Sequence, residues 1–453
     1  MIGTLRMHLD RWNLWYQQSV NRRIFATMVT VGGFTLMVNL AATAKELVVA
    51  HQFGTGDTLD ALLIAFLLPS FAINVVAGSF NAALIPTFIQ VRENEGSEVT
   101  QKLFSSFMSW GSALLIAVSI LLALIASFIL PILGSGFSIE KQALTRSLFF
   151  VLIPILVISG WGITWAAILN ASEHFALAAV SPMIKPIVTV VLLLMMSKIW
   201  GIYALAAGTV GGVVLEAGLL AWGVRRRGFY LAPRWHGLTP PMKKVINQYM
   251  PMVAGGFLMS STNLIDQSMA AMLGPGSVST LNYAGKVVTL ILGIGSISLG
   301  TAVFPHFSRM VAVCDWAGIR YTLKTYTYLI LLVTIPLTLI LVYFSEPIVH
   351  LLFERGAFTS ADTWRVSQVQ ALFLLQVPFY LLGILMVRLI SSLKMNRILM
   401  QAAIINLFLK ITFNYFLMQR LGAAGIALST TLVYVVSFIY FSMMLYKQIK
   451  TLE

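Results

Sequence analysis

The chain has 453 residues, 58% of them hydrophobic and only 10% charged, with a mean hydropathy of +0.87. Soluble domains carry about 25% charged residues, so a soluble enzyme is excluded and an all-α integral membrane protein is expected. The net charge of +14 would raise nucleic-acid binding in a soluble protein, but here it reads as the cationic bias of cytoplasmic loops, and the single Cys314 leaves no internal disulfide or cysteine-based metal cluster.

Segment 1–23 mixes Leu, Trp and Tyr with basic residues and reads as a cytoplasmic interfacial segment or, equally, as a loose tail. No cleavable signal peptide is evident, because the first apolar run begins only near Phe25 and lacks a small-residue cleavage site. Apolar runs of about 20 residues then recur, each long enough to cross a hydrocarbon core of about 30 Å. About twelve transmembrane helices are expected, near 25–50, 59–88, 106–130, 147–169, 177–198, 201–223, 246–272, 278–304, 327–344, 367–390, 399–418 and 421–445. With the N-terminus inside, the cytoplasmic loops and tails hold 19 Lys/Arg and the outside loops six, Lys141 among them. That asymmetry favours twelve spans with both termini cytoplasmic.

The Pro-containing linker 225–244 separates an N-terminal six-helix lobe, 24–224, from a C-terminal one, 245–446, with a short tail at 447–453. The halves repeat. Phe53-Gly54-Thr55-Gly56 is echoed by Leu273-Gly274-Pro275-Gly276, Ala83-Leu84-Ile85-Pro86 by Ala302-Val303-Phe304-Pro305, and Gly201-Ile202-Tyr203-Ala204 by Gly422-Ala423-Ala424-Gly425. The offset between partners is nearly constant, at 220, 219 and 221. Six spans per half make this a parallel pseudo-repeat, and carriers built that way bind cargo between lobes and alternate access.

Nine charged residues fall within the expected spans: Lys45, Glu46, Asp60, Lys185, Glu216, Asp266, Lys286, Arg388 and Lys410. Each is costly in hydrocarbon, about 2.5–3.5 kcal/mol at a helix centre. The economical arrangement is a central cavity with Lys45 and Lys286 as cations and Glu46, Asp60 and Asp266 as balancing acids. A Lys45–Glu46 ion pair and a helix cap at Asp60 are the plainer alternatives. Lys185, between Pro182 and Pro186, marks a helix break, and Glu216 is a proton or cation site or its partner. Arg388 and Lys410, near span ends, are expected to snorkel. Catalytic templates such as HExxH, Walker A, GxSxG and CxxC are absent, so no catalytic residue, metal ligand or enzyme activity is expected. The driving force is then an ion gradient, a coupling monovalent cation or proton, or the membrane potential.

The hairpin Lys45-Glu46, Phe53-Gly54-Thr55-Gly56, Asp60-Ala61 resembles the opening of the MurJ/MviN family of lipid II flippases. So do Gly276-Ser277-Val278-Ser279 with Asn282-Tyr283-Ala284, Phe304-Pro305-His306-Phe307-Ser308-Arg309, and Phe353-Glu354-Arg355-Gly356-Ala357-Phe358-Thr359. The resemblance covers residues 30–445. It implies two six-helix lobes in a V, alternating access, and a cationic cavity for the pyrophosphate-sugar head of an undecaprenyl lipid, with Lys45 and Lys286 at two family cation positions as Lys in place of Arg. Where the family carries an Arg pair and an acid after Pro69, this chain has the uncharged Phe71-Ala72-Ile73-Asn74-Val75-Val76-Ala77-Gly78, and the family's two further C-terminal helices would lie beyond Glu453. Three readings follow. The first is a flippase for an undecaprenyl-pyrophosphate-linked saccharide, either lipid II or an exopolysaccharide or O-antigen repeat unit. The second is a cation-coupled multidrug exporter, and the third a scaffold for envelope-synthesis enzymes. Membrane lipids are expected partners of all three.

Overall fold

The computed structural model describes residues 20–452; the expected interfacial segment at 1–23 lies almost wholly outside them. Among the described residues all regular structure is helical. Apolar composition dictates this, because a helix satisfies every backbone N–H and C=O within its own segment where no water is available. Helix α1 (Val20–Phe53) turns into α2 (Asp57–Ala72), which continues through a π-helical turn (Ile73–Ala77) into α3 (Gly78–Leu133). The second quarter is α4 (Ile139–Leu152), α5 (Pro154–Ala171), α6 (Phe175–Val180), α7 (Ile184–Trp200) and α8 (Ile202–Arg226). The second half contains α9 (Pro240–Ala271), α10 (Ser277–Ala312), α11 (Trp316–Tyr343), α12 (Ser345–Phe353), α13 (Ser360–Leu374), α14 (Val377–Ser392), α15 (Asn396–Leu421) and α16 (Ala423–Leu452).

Among the described residues ten stretches are long and apolar enough to span a membrane, one of them the 77 residues Asp57–Leu133. At about 1.5 Å per residue that stretch is far too long for one crossing, and Gly96 divides it with non-helical φ 84° and ψ −179°. Helix α9, 32 residues long, is the crossing that hydropathy passes over, because Asn263, Asp266 and Gln267 dilute it. With these two the expected twelve are accounted for. Pro69 has no N–H to donate, and the helix widens into the π turn one turn later.

The repeat read from sequence is present in the backbone. Gly201 (φ 52°, ψ −129°) starts α8, and its repeat partner Gly422 (φ 59°, ψ −137°) starts α16. At the same offset Glu173 (φ 60°) and Lys394 (φ 57°) take the left-handed conformation that few non-glycine residues adopt. Their turns also bond alike: His174 N–H donates to the Leu169 carbonyl at 2.8 Å, and Met395 N–H to the Ile390 carbonyl at 3.1 Å.

By contacts the described residues divide into two compact units, one of those up to Val48 with Val76–Leu121 and Val151–Met252, the other of Val49–Val75, Leu122–Phe150 and those from Val253 onward. In the first unit α7 packs closely along α8, and an aromatic cluster gathers Phe80, Phe107, Trp110 and Tyr249. In the second, α15 packs along α16 and α10 is covered by α13, α14 and α2. Small residues set the α7–α8 contact, as expected where lipid tails remove the hydrophobic drive and close backbone approach must supply the attraction. A Cβ on Gly208 would stand 2.8 Å from the Thr189 Cα, and one on Gly212 2.7 Å from the Lys185 Cα. Gly212→Val is therefore expected to lower the melting temperature of the purified protein, at an overpacking cost of about 1–3 kcal/mol. Gly218→Ala, with nothing within 4 Å of its Cβ, is expected to leave it unchanged.

Candidate functional site

The sequence places Asp60 in the first turn of α2, yet its carboxylate caps a different helix. The backbone N–H groups of Gly276 and Ser279, at the start of α10, donate to Asp60 Oδ2 and Oδ1 at 2.8 Å each. Lys141 Nζ lies 3.0 Å from Asp60 and 2.5 Å from Asp57, with its ammonium 3.9 Å over the Phe137 ring. Asp60 is 1% exposed, so its charge is fixed by two amides at a positive helix end and one ammonium. The expectation that Asp60 balances a cavity cation is corrected: it is a cap, reached by a lysine that the sequence places among the loop charges.

Around this carboxylate the loop ends of the second unit interlock with the symmetry of the repeat. A Cβ on Gly356 would collide with the His51 carbonyl, and one on Gly136 with the Ala271 carbonyl; the repeat offset maps one pair onto the other. Ala357 N–H donates to His51 at 2.8 Å, and the Thr55 hydroxyl bonds Asp362, which also closes the capping box of α13 with Thr359.

In the first unit Lys45 Nζ meets Glu46 Oε1 at 2.8 Å, and Lys185 Nζ meets Glu216 Oε2 at 2.9 Å. The repeat partners of the second pair are Asn406 and Ser437, and Ser437 Oγ donates to Asn406 Oδ1 at 2.8 Å. One half thus joins its two helices with charges and the other joins the matching point with neutral groups. Lys185 follows a single 3-10 turn, Ser181–Met183, so the expected helix break is where Pro182 and Pro186 place it.

The second unit contains an open-mouthed cavity of about 360 Å³ lined by Asp266, Lys286, Gln376, Asn406, Lys410 and Tyr434, among others. Its ionisable lining includes Asp266, Lys286 and Lys410, two cations against one carboxylate. Asp266 Oδ1 accepts from Lys410 Nζ at 3.0 Å and from Asn414 Nδ2 at 2.8 Å, while Lys410 also reaches the Thr430 hydroxyl. Of the five charged residues expected around one central cavity, Asp266 and Lys286 line this one, and Lys45, Glu46 and Asp60 are not among its lining residues. The expected snorkelling of Lys410 is not found, since it is 2% exposed and turned inward to an acid. Arg388 is half-buried, and a Cβ on Gly300 would lie 2.7 Å from its guanidinium. Lys141, Lys410 and Asn414 are the polar contributors that sequence reasoning missed. Asn406, Lys410 and Asn414 recur every four residues, so they form a polar stripe on one face of α15 that periodicity could have revealed.

A parallel repeat of spanning helices, a charged cavity inside one unit and intramembrane ion pairs define a multi-pass helical membrane protein. Solved structures share the fold. The structure superposes on that of a lipid II flippase MurJ in an inward closed conformation with a TM-score of 0.78, at 23% identity over 92% of this chain and 87% of that one. It also superposes on an inward-facing multidrug resistance MATE family transporter of the MOP superfamily with a TM-score of 0.71, at 14% identity over 94% and 98% of the two chains. The family profile described as lipid II flippase MurJ matches residues 49–453, and the chain belongs to that family. A probable lipid II flippase MurJ from Synechocystis is 26% identical over 437 residues, covering 92% of this chain and 81% of its own length.

The buried clasp predicts a specific loss. Asp60→Ala strips two amides and an ammonium of their acceptor, and breaking such a buried pair costs about 3–5 kcal/mol. A clear fall in melting temperature is expected for Asp60→Ala and a smaller one for Asp60→Asn, read by thermal denaturation in detergent.

Proposed function

We propose that this protein carries an undecaprenyl-pyrophosphate-linked saccharide of the lipid II class across the bacterial inner membrane by alternating access. The observation that carries the reading is the charge of the cavity in the second unit. Lys286 and Lys410 line it against Asp266, a net positive charge. Lys410 is buried against its acid, whereas Lys286 is half-buried, so Lys286 is the lysine that meets the cargo. A pyrophosphate is drawn to such a surplus inside a low-dielectric site, where each Coulomb interaction is stronger than in water. Lys45, the cation expected in the first unit, already meets Glu46 at 2.8 Å and would contribute to the headgroup only by sharing or exchanging that partner. Glu46, Glu216 and Asp266 act in this reading as the fixed counter-charges that hold lysines in place. Membership of the MurJ family supports the cargo class.

The uncharged segment 71–78, where the family's Arg pair is expected, favours a second cargo within the same reaction. The cavity is then less cationic and less geometrically demanding than the resemblance implies for lipid II, and a repeat unit of another envelope glycan carries the same lipid pyrophosphate. The multidrug-exporter reading is weaker, because it needs an acid open to the cargo's positive charge, and Glu46, Glu216 and Asp266 each face a lysine.

Lys286→Ala is expected to cut translocation of lipid II by about tenfold or more, the effect of losing one charge-assisted hydrogen bond of about 1.5–3 kcal/mol. Lys286→Arg is expected to keep it. The measurement is lipid II flipping in cells depleted of their own flippase; undiminished flipping by Lys286→Glu would remove the proposed anion site.

A further inference from the structure

The acid most suited to hold a coupling cation, Asp266, already has a cation that the chain supplies itself. Lys410 Nζ sits 3.0 Å from Asp266 Oδ1 and against the Thr430 hydroxyl, in a pocket where Lys410 is 2% and Asn414 0% exposed. Asn414 donates to the same Asp266 oxygen at 2.8 Å, and its own Oδ1 is buried without a partner. A carboxylate and a hydroxyl converging on one point are oxygen ligands of the kind a hard monovalent cation takes. Here an ammonium on a buried stem fills that point, and a second unit charge beside it would be strongly repelled at this dielectric. We propose that Lys410 is a tethered counter-ion for Asp266, which makes this half of the carrier independent of sodium and potassium.

The repeat gives the proposal an independent footing. The position equivalent to Asp266 in the first half is Glu46, and it too is met by a lysine rather than left for solvent ions. The position equivalent to Lys410 is Thr189, whose hydroxyl bonds its own helix at the Lys185 carbonyl, 2.8 Å away. The two halves therefore neutralise the same acid with lysines from different helices, α1 in one and α15 in the other. Neutralisation by a covalently held ammonium is common to both, while its source is not. Such an arrangement holds its charge whether or not a sodium or potassium gradient exists.

The proposal rests on the carrier reading but not on the cargo, and its test is run without cargo. Melting temperatures of the purified full-length protein are compared in sodium, potassium and choline chloride at equal ionic strength. The wild type and Lys410→Arg are expected to melt alike in all three salts. Lys410→Met uncovers the Asp266 and Thr430 oxygens and is expected to gain a rise of about 2–4 °C in sodium or potassium over choline. Adding Asp266→Asn to Lys410→Met is expected to abolish that rise. A sodium- or potassium-dependent wild type whose response disappears in Asp266→Asn would overturn the proposal, as would a folded Lys410→Met that ignores both ions. Where Lys410→Met cannot be purified folded, the wild type and Asp266→Asn decide alone.

Discussion

A carboxylate inside hydrocarbon must be neutralised where it lies, and the structure answers that requirement repeatedly with a lysine. Glu46 has Lys45, Glu216 has Lys185, Asp266 has Lys410, and Asp60 has Lys141. The desolvation of two charges is offset only where geometry is close and the remaining hydrogen-bonding capacity is used. Asp60 meets that condition most fully, with two backbone amides and the ammonium around one carboxylate. The pairs also fix helix faces. Lys185 and Glu216 bind α7 to α8 at the point where Gly212 lets the backbones touch, so packing and electrostatics select one register together.

The duplicated fold meets the same requirement twice over. Each half repeats the turn conformations at Gly201 and Gly422 and at Glu173 and Lys394, and the two halves then differ in how they fill equivalent polar positions. The Lys185–Glu216 pair becomes Asn406–Ser437, and the acid at Glu46 returns as Asp266 with a partner from another helix. A duplicated scaffold can vary in this way because the backbone turns and the helix contacts carry the geometry. Charge can then be redistributed so long as each buried polar group keeps a partner. In the second unit this redistribution leaves a cavity lined by two lysines and one acid.

Helices, their number and the repeat are legible in the sequence because a span of lipid imposes length and hydropathy directly, and because a repeat offset needs no structure to be measured. The repeat offset also points to Asp266 as the counterpart of Glu46, but not to the cavity that Asp266 and Lys286 line without Lys45, Glu46 or Asp60. Which lysine neutralises which acid is not legible either. Lys141 reads as a loop charge because it lies two residues into a short helix, and only folding brings α4 beside the start of α2. Lys410 reads as a snorkelling residue when distance from a span end is weighed in place of helical face. Its spacing from Asn406 and Asn414 shows that it belongs to a polar stripe. Asp60 reads as a cap for its own helix or a cavity acid, whereas tertiary structure lends it to α10.

The uncharged segment after Pro69 takes the π turn Ile73–Ala77, and its carbonyls find partners that an ordinary helix would not offer, as where the Tyr249 hydroxyl donates to Val76 at 3.1 Å. Phe80 packs against Tyr249 and Phe107 just beyond it in the buried core of the first unit, and the segment itself carries none of the guanidinium groups that the family resemblance leads one to expect. An uncharged segment offers an anion no bidentate grip. In the proposed reading the cationic work then falls on lysines, compact point charges that attract an anion without dictating its orientation. A carrier built on that chemistry would recognise a lipid pyrophosphate as a charge more than as a shape. Discrimination among lipid-linked saccharides would then come from uncharged polar groups of the second unit's cavity, Gln376, Asn406 and Tyr434 among them.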